Sequence, residues 1–484
     1  MARSTARSRR STAVALLLAG GALSACAVGP NYQRPPVTTP PAFKEAQGWT
    51  PAVPADAVDR GDWWTLFGDD KLNELEAKVE VSNQNLKAAE AAYRQARALV
   101  AEDRASLFPA VDLTGSATRS QHGATQVTGV NGQTASVRAP AANSYQASLG
   151  ASWEPDIWGK IRRTVESAKG SAQASEADLA NARLSAQSEL AADYIQLRLA
   201  DANKRLLTAT VDGYAKSLQI TQNQYKVGVA AKSDVLQAQT QLVSTQASLV
   251  DVDNQRASAE HAIAVLIGVA PADFALEPVP DWTPKPPPTP KGLPSTLLQR
   301  RPDVAGAERR AMAANAQIGV ATAGFFPDIT LSGSYGFGSS ALKSLFNSSN
   351  AAWSYGGNLA QTVFDAGATL ERVRGARAGY DQATATYRQT VLTAFQQVED
   401  GLAAARVLQD EAVYRQEASA SADQAEQILL NQYRAGQVAY TSVVVAQATA
   451  LSARESLLQI QGQRVTNAIS LVAALGGGWD GRLK

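Results

Sequence analysis

Four stretches of the chain alternate polar and apolar residues with period two. In 110–118, Val111, Leu113, Gly115 and Ala117 share one face, and Asp112, Thr114, Ser116 and Thr118 share the other. In 144–153, Tyr145, Ala147, Leu149, Ala151 and Trp153 oppose Gln146, Ser148, Gly150 and Ser152. Further along, Ile329, Leu331, Tyr335 and Phe337 oppose Thr330, Ser332 and Ser334, and Trp353, Tyr355, Leu359 and Val363 oppose Ser354, Asn358 and Thr362. Strands of about ten residues are long enough to cross a bilayer obliquely. Aromatic residues gather near the strand ends (Tyr145 and Trp153, Tyr335 and Phe337, Trp353 and Tyr355), as interfacial girdles do. The connections at 119–142 and 339–352 are polar, which suits loops on an extracellular face.

A helical period takes over on either side of each strand pair. Asp70 to Leu107 predicts one helix. From Gly159 to Lys226 there is no proline, and Ile161, Val165, Ala168, Ala172, Leu179, Ala182 and Ala186 keep a heptad-like stripe rich in alanine. These 68 residues predict a rod of roughly 100 Å. A turn at Val227 to Ala231 reverses it into a helix from Lys232 to Ile267, with Ser233 as its cap. The flanking helix and the returning helix, each roughly 55 Å, match the rod when stacked end to end, so two parallel columns are expected. A second rod runs from Gly367 to Arg434, turns at Gly436 and returns to Leu475.

The chain therefore repeats itself. Asn223, Tyr225, Gly228, Gln239, Gln255, Arg256 and Gly268 recur 208 positions later as Asn431, Tyr433, Gly436, Gln447, Gln463, Arg464 and Gly476. Upstream the offset is 218, pairing Ala89 and Glu90 with Ala307 and Glu308, Phe108 and Pro109 with Phe326 and Pro327, and Leu113 and Gly115 with Leu331 and Gly333. The first copy thus carries ten extra residues between these blocks. Its bounds are 62–268, with a β-hairpin at about 110–153; the second copy spans 295–476, with a hairpin at about 328–363. Between them, 269–294 is a proline-rich crossover that cannot be helical, and 477–484 is a tail. Pro109 and Pro327 fall where helix must give way to strand, and are read as barrel–helix junctions.

The N-terminus reads as an address. Residues 1–25 carry four arginines, no acid and one short apolar run, the layout of a signal peptide. It ends in Leu23, Ser24, Ala25, Cys26, which resembles a bacterial lipobox and makes Cys26 an acylation site. Several acyl chains anchor stably where one does not. The prolines that follow, within an arm at 26–61, favour an extended tether.

Composition removes most chemistry. Without residues 1–25 the chain holds 41 basic against 44 acidic side chains, so nucleic acid is not an expected partner. Two histidines, His122 and His261, and a single cysteine cannot build a metal cage. Neither catalytic residues nor a phosphate loop stand out, so no enzyme, metal or cofactor is expected beyond the covalent lipid on Cys26. Trp63 and Trp64 are read as anchors of the arm against the helices.

Four strands cannot stand in lipid, because the outer edges would carry unpaired backbone groups. Two chains would supply eight strands and a filled interior, three would supply twelve and leave a lumen. The small polar residues Ser116, Ser148, Ser152, Ser332 and Asn358 favour the lumen, continued below by twelve helical columns.

The residues CAVGPNYQRPP from Cys26, DWWTLFGDDKL from Asp62, RPDVAGAE from Arg301, both Phe-Pro junctions and both helix tips together resemble the outer membrane factors of the TolC type, in their acylated efflux lipoprotein branch. The resemblance implies a mixed α and β membrane protein: a homotrimer in the outer membrane with a twelve-strand β-barrel, four strands per chain, continued by a long α-helical periplasmic barrel. It implies a passive exit duct for small toxic compounds, docked by a periplasmic adaptor and powered by an inner membrane transporter of the resistance-nodulation-division type. Lys226, Gly228, Arg434 and Gly436 mark the tips where an adaptor would dock. Related second tips carry a leucine after the tyrosine and an aspartate four residues later; here Tyr440 is followed by Thr441, and Val445 replaces the aspartate. Asp234 in the first tip is then the nearest acid, and these four are the aperture candidates. A polypeptide export channel and a non-conducting lipid-anchored scaffold are the rival readings.

Overall fold

The computed structural model describes residues 27–37, 43–45, 62–128, 134–137, 140–279, 281–287, 301–479, 481 and 483. The leader, Cys26 and most of the arm at 26–61 lie outside the described residues, as does the end of the crossover.

The two copies fold to matching lengths. Helix α1 (Asp70–Ser82) and α2 (Gln84–Ala105) lead to strand β1 (Ala110–Ser120), the short strands β2 (Thr125–Thr128) and β3 (Thr134–Val137), and β4 (Ala142–Trp153). The rod α3 (Lys160–Lys226) and its return α4 (Lys232–Leu266) complete the first copy. The second consists of α5 (Pro302–Ala323), β5 (Asp328–Ser339), β6 (Ala351–Ala360), α6 (Ala368–Arg434) and α7 (Tyr440–Ala474). Both rods have 67 residues, both returning helices 35, and α2 and α5 both have 22.

Strands β1, β4, β5 and β6 pair in that order as one antiparallel sheet, so the second hairpin joins the first. Leu113 stands opposite Leu149, Leu149 opposite Tyr335, and Tyr335 opposite Trp353. Every pairing joins like faces, so the alternation of each strand is summed across the sheet rather than cancelled.

The structure corrects the sequence reading in four places. The helix expected from Asp70 to Leu107 is broken at Asn83, whose backbone is extended, with its N–H donating to Val79 O of α1, and whose buried side chain joins α2 to α4. Its amide donates to Leu266 O (2.8 Å) while its Oδ1 accepts from Leu86 N–H (3.0 Å), capping α2. Strand β6 ends at Ala360, leaving Val363 outside it. Ser233 is not the cap of α4: Ala231 holds that position, and the Asp234 carboxylate accepts from its N–H (3.3 Å). The loop at 119–142 contains the hairpin of β2 and β3, which accounts for the extra length of the first copy.

Two compact units emerge, and they cut across the duplication. One comprises the described residues within 1–34, 95–172 and 309–384; the other comprises those within 35–94, 173–308 and 385–484. In the first, the arm expected as a simple tether is fastened to α3 and α5. The buried Arg163 donates to Val28 O, Gly29 O and Asn31 Oδ1 (3.1, 3.2 and 2.9 Å) and pairs with Glu166 (2.7 Å). Asn315 donates to Pro30 O (3.0 Å), and Val28 N–H to Trp158 O (3.0 Å). Gly29, at φ +92°, lies directly on Gly319; a Cβ on either would strike the other's neighbourhood at under 3 Å.

The second unit holds the apolar cores. Trp63 and Trp64 are buried with Leu72, Leu75, Tyr194 and Ile263, and Tyr194 donates to Asp69 (2.8 Å). The crossover is strapped by arginines: Arg198 donates to Glu277 O (2.8 Å), Arg205 to Val279 O and Trp282 O (3.1 and 2.9 Å), and Arg256 to Leu276 O. Asp201 sits between Arg198 and Arg256, bridging both. Arg301 clips Asp303 to Ala474 O at the end of α7.

Candidate functional site

The sheet is the first functional element. Register places Val111, Leu113, Leu149, Leu331, Tyr335, Trp353, Tyr355 and Leu359 on one face and Thr114, Ser116, Ser148, Ser152, Ser332 and Asn358 on the other. The apolar face is uncovered: Leu113 is 79%, Trp353 69% and Tyr355 81% exposed. Leaving such a continuous apolar surface in water is costly, so its medium is hydrocarbon. Aromatic rings group on this face, with Trp353 stacked on Tyr355 (5.6 Å) and Tyr335 edge-on to Phe337 (5.6 Å). The opposite face is hydroxylic, with Thr114 bonded to Ser148 and Ser334 to Ser354, both at 2.8 Å. Among the described residues no helix is long and apolar enough to cross a membrane.

Both predicted junctions fall between helix and strand. Pro109 and Pro327 each follow a tight turn, in which Phe108 N–H donates to Ala105 O and Phe326 N–H to Ala323 O, both at 3.0 Å. Tryptophans fix these corners: Trp153 Nε1 donates to Leu107 O (3.0 Å), and Trp158 Nε1 donates to Pro327 O (2.9 Å) while stacking on Phe326 (4.8 Å). Sequence reasoning missed the acids that start the rods. Asp156 accepts from Ile161 and Arg162 N–H (3.0 and 2.9 Å), and Asp365 from Gly367 and Thr369 N–H (2.9 and 2.7 Å). An acid two or three residues ahead of a glycine, Gly159 or Gly367, was the legible signal.

Both rod tips close in the same way. Gly228 (φ +77°) and Gly436 (φ +72°) are left-handed. Gly228 N–H donates to Tyr225 O (3.0 Å) and Val229 N–H to Gln224 O (2.9 Å); Gly436 and Gln437 do the same to Tyr433 O and Gln432 O (2.9 Å each). This paired closure satisfies the last carbonyls of each rod and requires a residue without a Cβ penalty. Lys226 and Arg434 are exposed in the last turns, where the helix dipole favours cations.

The four aperture candidates separate. Tyr440 is buried, its ring 5.1 Å from that of Tyr433, within a cluster containing Ala238 and Val443. Burial pushes its phenol up to about 12, so it stays neutral. Asp234 is half-buried and accepts from Ala231 N–H. Thr441 and Val445 face an open groove of about 530 Å³ with Ala422 and Leu429 of α6. A polar seam missed in the sequence ties the two copies together near these tips. Tyr214 donates to Gln447 O (3.1 Å), Gln447 Nε2 to Ser217 Oγ (3.1 Å), and Tyr433 shares a hydrogen bond with Thr221 (3.4 Å). Residues 214, 217 and 221 lie on one helical face, and that spacing carried the signal.

An open groove of about 690 Å³ between α3, α4 and α7 is lined by carboxamides and hydroxyls, including Gln196, Asn203, Gln255, Gln463 and Thr466. Among the described residues no three His, Cys, Asp or Glu side chains gather to hold a metal ion.

Comparison with known proteins agrees with this geometry. The profile of the family described as "Outer membrane efflux protein" matches residues 77–269 and again 293–477, once per copy. The toluene efflux pump outer membrane protein TtgC of Pseudomonas putida is 31% identical over 480 residues, covering 98% of this chain and 96% of TtgC. The cation efflux system protein CusC of Escherichia coli is 30% identical over 459 residues, covering 95% and 97%. The solved outer-membrane channel OprN is 32% identical and superposes with a TM-score of 0.84, over 94% of this chain and all of that one. A sheet with one lipid-compatible face, two duplicated helical hairpins and similarity along nearly the full length converge on one assignment: the chain belongs to the outer membrane efflux protein family, and is an outer membrane efflux channel with a large periplasmic helical part.

Proposed function

We propose that this channel is a passive exit duct for small toxic compounds, closed by three copies of the chain into a twelve-strand barrel over a helical tunnel. The observation that carries the reading is the sheet: one uncovered apolar face, one hydroxylic face, and two end strands, β1 and β6, whose outer edges need partners in lipid. Three copies supply enough strands for an open lumen lined by the hydroxylic face. Relatives named for toluene and for cation efflux share the family, which supports a wall that does not select its cargo. Selection then rests with an inner membrane transporter, of the resistance-nodulation-division type, reached through a periplasmic adaptor. The exposed tips around Gly228 and Gly436, with Lys226 and Arg434, are the adaptor's docking points.

Opening means parting the tips, and the seam of Tyr214, Ser217 and Thr221 against Gln447 and Tyr433 resists it. Tyr440 supports the tip from within its core rather than lining an aperture. Asp234, Thr441 and Val445 remain the candidates for the aperture itself. Cys26 carries the lipid, delivered beside the fastened residues 27–31. The chain performs no catalysis: its work is geometric.

The test is conductance together with a deletion phenotype. Purified protein in planar bilayers should give discrete conductance steps, larger when the tip seam is removed by the double variant Ser217→Ala, Thr221→Ala. Deleting the gene should sensitise cells to part of a toxicant panel. Silence in the bilayer for both forms, with unchanged susceptibility, would refute the duct.

A further inference from the structure

The two ends of the sheet differ in charge. Strands β1 and β5 leave the helices at Ala110 and Asp328, and β4 and β6 return to them after Trp153 and Ala360, so the ends at Ser120, Ala142, Ser339 and Ala351 face the exterior. Between Asp112 and Glu154 the chain has no acidic residue, and its charged side chains there are Arg119 and Arg138; between Asp328 and Asp365 the single charged side chain is Lys343. The outer part of the sheet and its loops are thus purely cationic, while Asp112, Glu154, Asp328 and Asp365 stay at the end that joins the helices. Arg138 lies outside the described residues. Arg119 and Lys343 are exposed, and the segments around them offer no acid to pair with.

We propose that Arg119 and Lys343, with the rings of Tyr145, Phe337 and Phe346 adjoining them, form a site on the outer rim for lipopolysaccharide, the phosphorylated and multiply acylated glycolipid of the outer leaflet. Register places Arg119, opposite Asn143, on the same face as Val111 and Leu113, the face turned to hydrocarbon. It follows Val111 by eight residues, about 27 Å along the strand, so it stands at the outer rim of the apolar band. There its stem lies along apolar surface while the guanidinium reaches headgroup phosphate, which it can grip with two parallel hydrogen bonds.

The loop leaving β5 supplies a second, independent observation. Its hydroxyls hold it in one shape: Ser339 and Ser344 share a hydrogen bond (2.8 Å), Ala341 N–H donates to Ser339 Oγ (3.2 Å), and Asn350 Nδ2 donates to Ser344 O (2.6 Å). Leu345 is buried beneath it, yet Leu342 is 65% and Phe346 71% exposed. Phe346 meets Phe337 edge-on (5.5 Å), and Phe337 meets Tyr335 in the same way, so the loop extends the apolar face outward beyond the strand. Apolar side chains fixed outward on a polar loop are costly in water and at home against acyl chains. The sheet order sets β1 and β5 two strand spacings apart, roughly 10 Å. Two cations so divided, with rings between them, fit a headgroup that carries more than one phosphate above several chains; a phospholipid with one phosphate would engage a single cation.

The test uses the full-length protein, purified in detergent and freed of co-purified lipid. Native mass and the thermal midpoint are followed as diphosphorylated lipid A is added, with dephosphorylated lipid A, phosphatidylglycerol and inorganic phosphate as comparators. Lipid A should bind and raise the midpoint; dephosphorylated lipid A and phosphatidylglycerol should bind roughly ten-fold more weakly, and inorganic phosphate should leave the midpoint unchanged. The double variant Arg119→Gln, Lys343→Gln should weaken lipid A binding roughly ten-fold, and Phe346→Ser several-fold, whereas Arg119→Lys, Lys343→Arg should retain it. Lys78→Gln, Arg415→Gln removes the same charge from exposed ion pairs on the periplasmic helices and should change nothing. Equal binding by the parent and the first double variant overturns the site, as does phosphatidylglycerol binding as tightly as lipid A, or an equal loss in the Lys78 and Arg415 control. Should the first double variant fail to assemble, Arg119→Gln and Lys343→Gln decide singly, each expected to lose several-fold. Conductance in bilayers of phospholipid alone tests the duct and not this site, so the two readings fail separately.

Discussion

Glu76 is the residue least at home in its surroundings. It sits fully buried on α1, neither carboxylate oxygen has a hydrogen-bond partner, and burial raises its pKa from 4.5 to about 9. The fold thus holds it protonated while the unfolded chain ionises it above about 4.5, so the native state binds the extra proton and stability falls as pH rises from there towards 9. Glu76→Gln is expected to raise the thermal midpoint by several degrees at pH 8 and by little at pH 5; an equal gain at both would contradict this origin. Arg163 is the opposite case, a buried cation with every neighbour matched to it. Arg163→Ala leaves Glu166 and three arm acceptors uncompensated, at a cost of about 3 kcal/mol. The arm should then become cleavable by protease near residue 31 under conditions where the parent protein resists.

Helices here are decided at their ends. The rods are rich in alanine, glutamine and leucine, and need no special explanation along their length. What distinguishes them is where they stop. Gly228→Ala puts a Cβ into a left-handed position with open space around it, so only the backbone penalty of about 1 kcal/mol is expected. Hydrogen exchange at Val229 and Ala230 should rise while the thermal midpoint stays fixed. Asn83→Ala is different, because one side chain bonds Leu266 at the end of α4 and starts α2. Its loss leaves a buried carbonyl and a helix start unpaired, for about 2 kcal/mol, and should lower the midpoint of the whole protein.

For the molecule as a whole, the sheet makes a directional prediction. Cysteines replacing Leu113, Leu149, Leu331 and Leu359 should resist a water-soluble maleimide in the intact membrane, and those replacing Ser116, Ser148, Ser332 and Asn358 should react. Water access at all four leucine positions would mean a soluble sheet and a scaffold rather than a duct. The two compact units each draw on both copies, so the duplication describes the history of the chain and not its division into folded parts.

Much of this was written in the sequence because it depends on periods and punctuation. Strand alternation, rod lengths, the Phe-Pro corners and the tip glycines are local properties, and the 208 and 218 residue offsets make each copy a check on the other. Other features could not be read there, because they join residues distant in the chain. Asn83 alone is a weak break signal in a helical pattern; its buried amide is satisfied by Leu266, 183 positions away. Nothing in the proline-rich arm predicts that Arg163 will hold it, 132 positions on. The place of Tyr440 just after the second tip makes it an aperture candidate in the sequence; that it packs in one core with Tyr433 and Val443 depends on neighbours in space. The sequence by itself determined which elements form and which faces they offer. Only the tertiary structure decided which of those faces meet, since burial and hydrogen-bond partners are properties of neighbours in space.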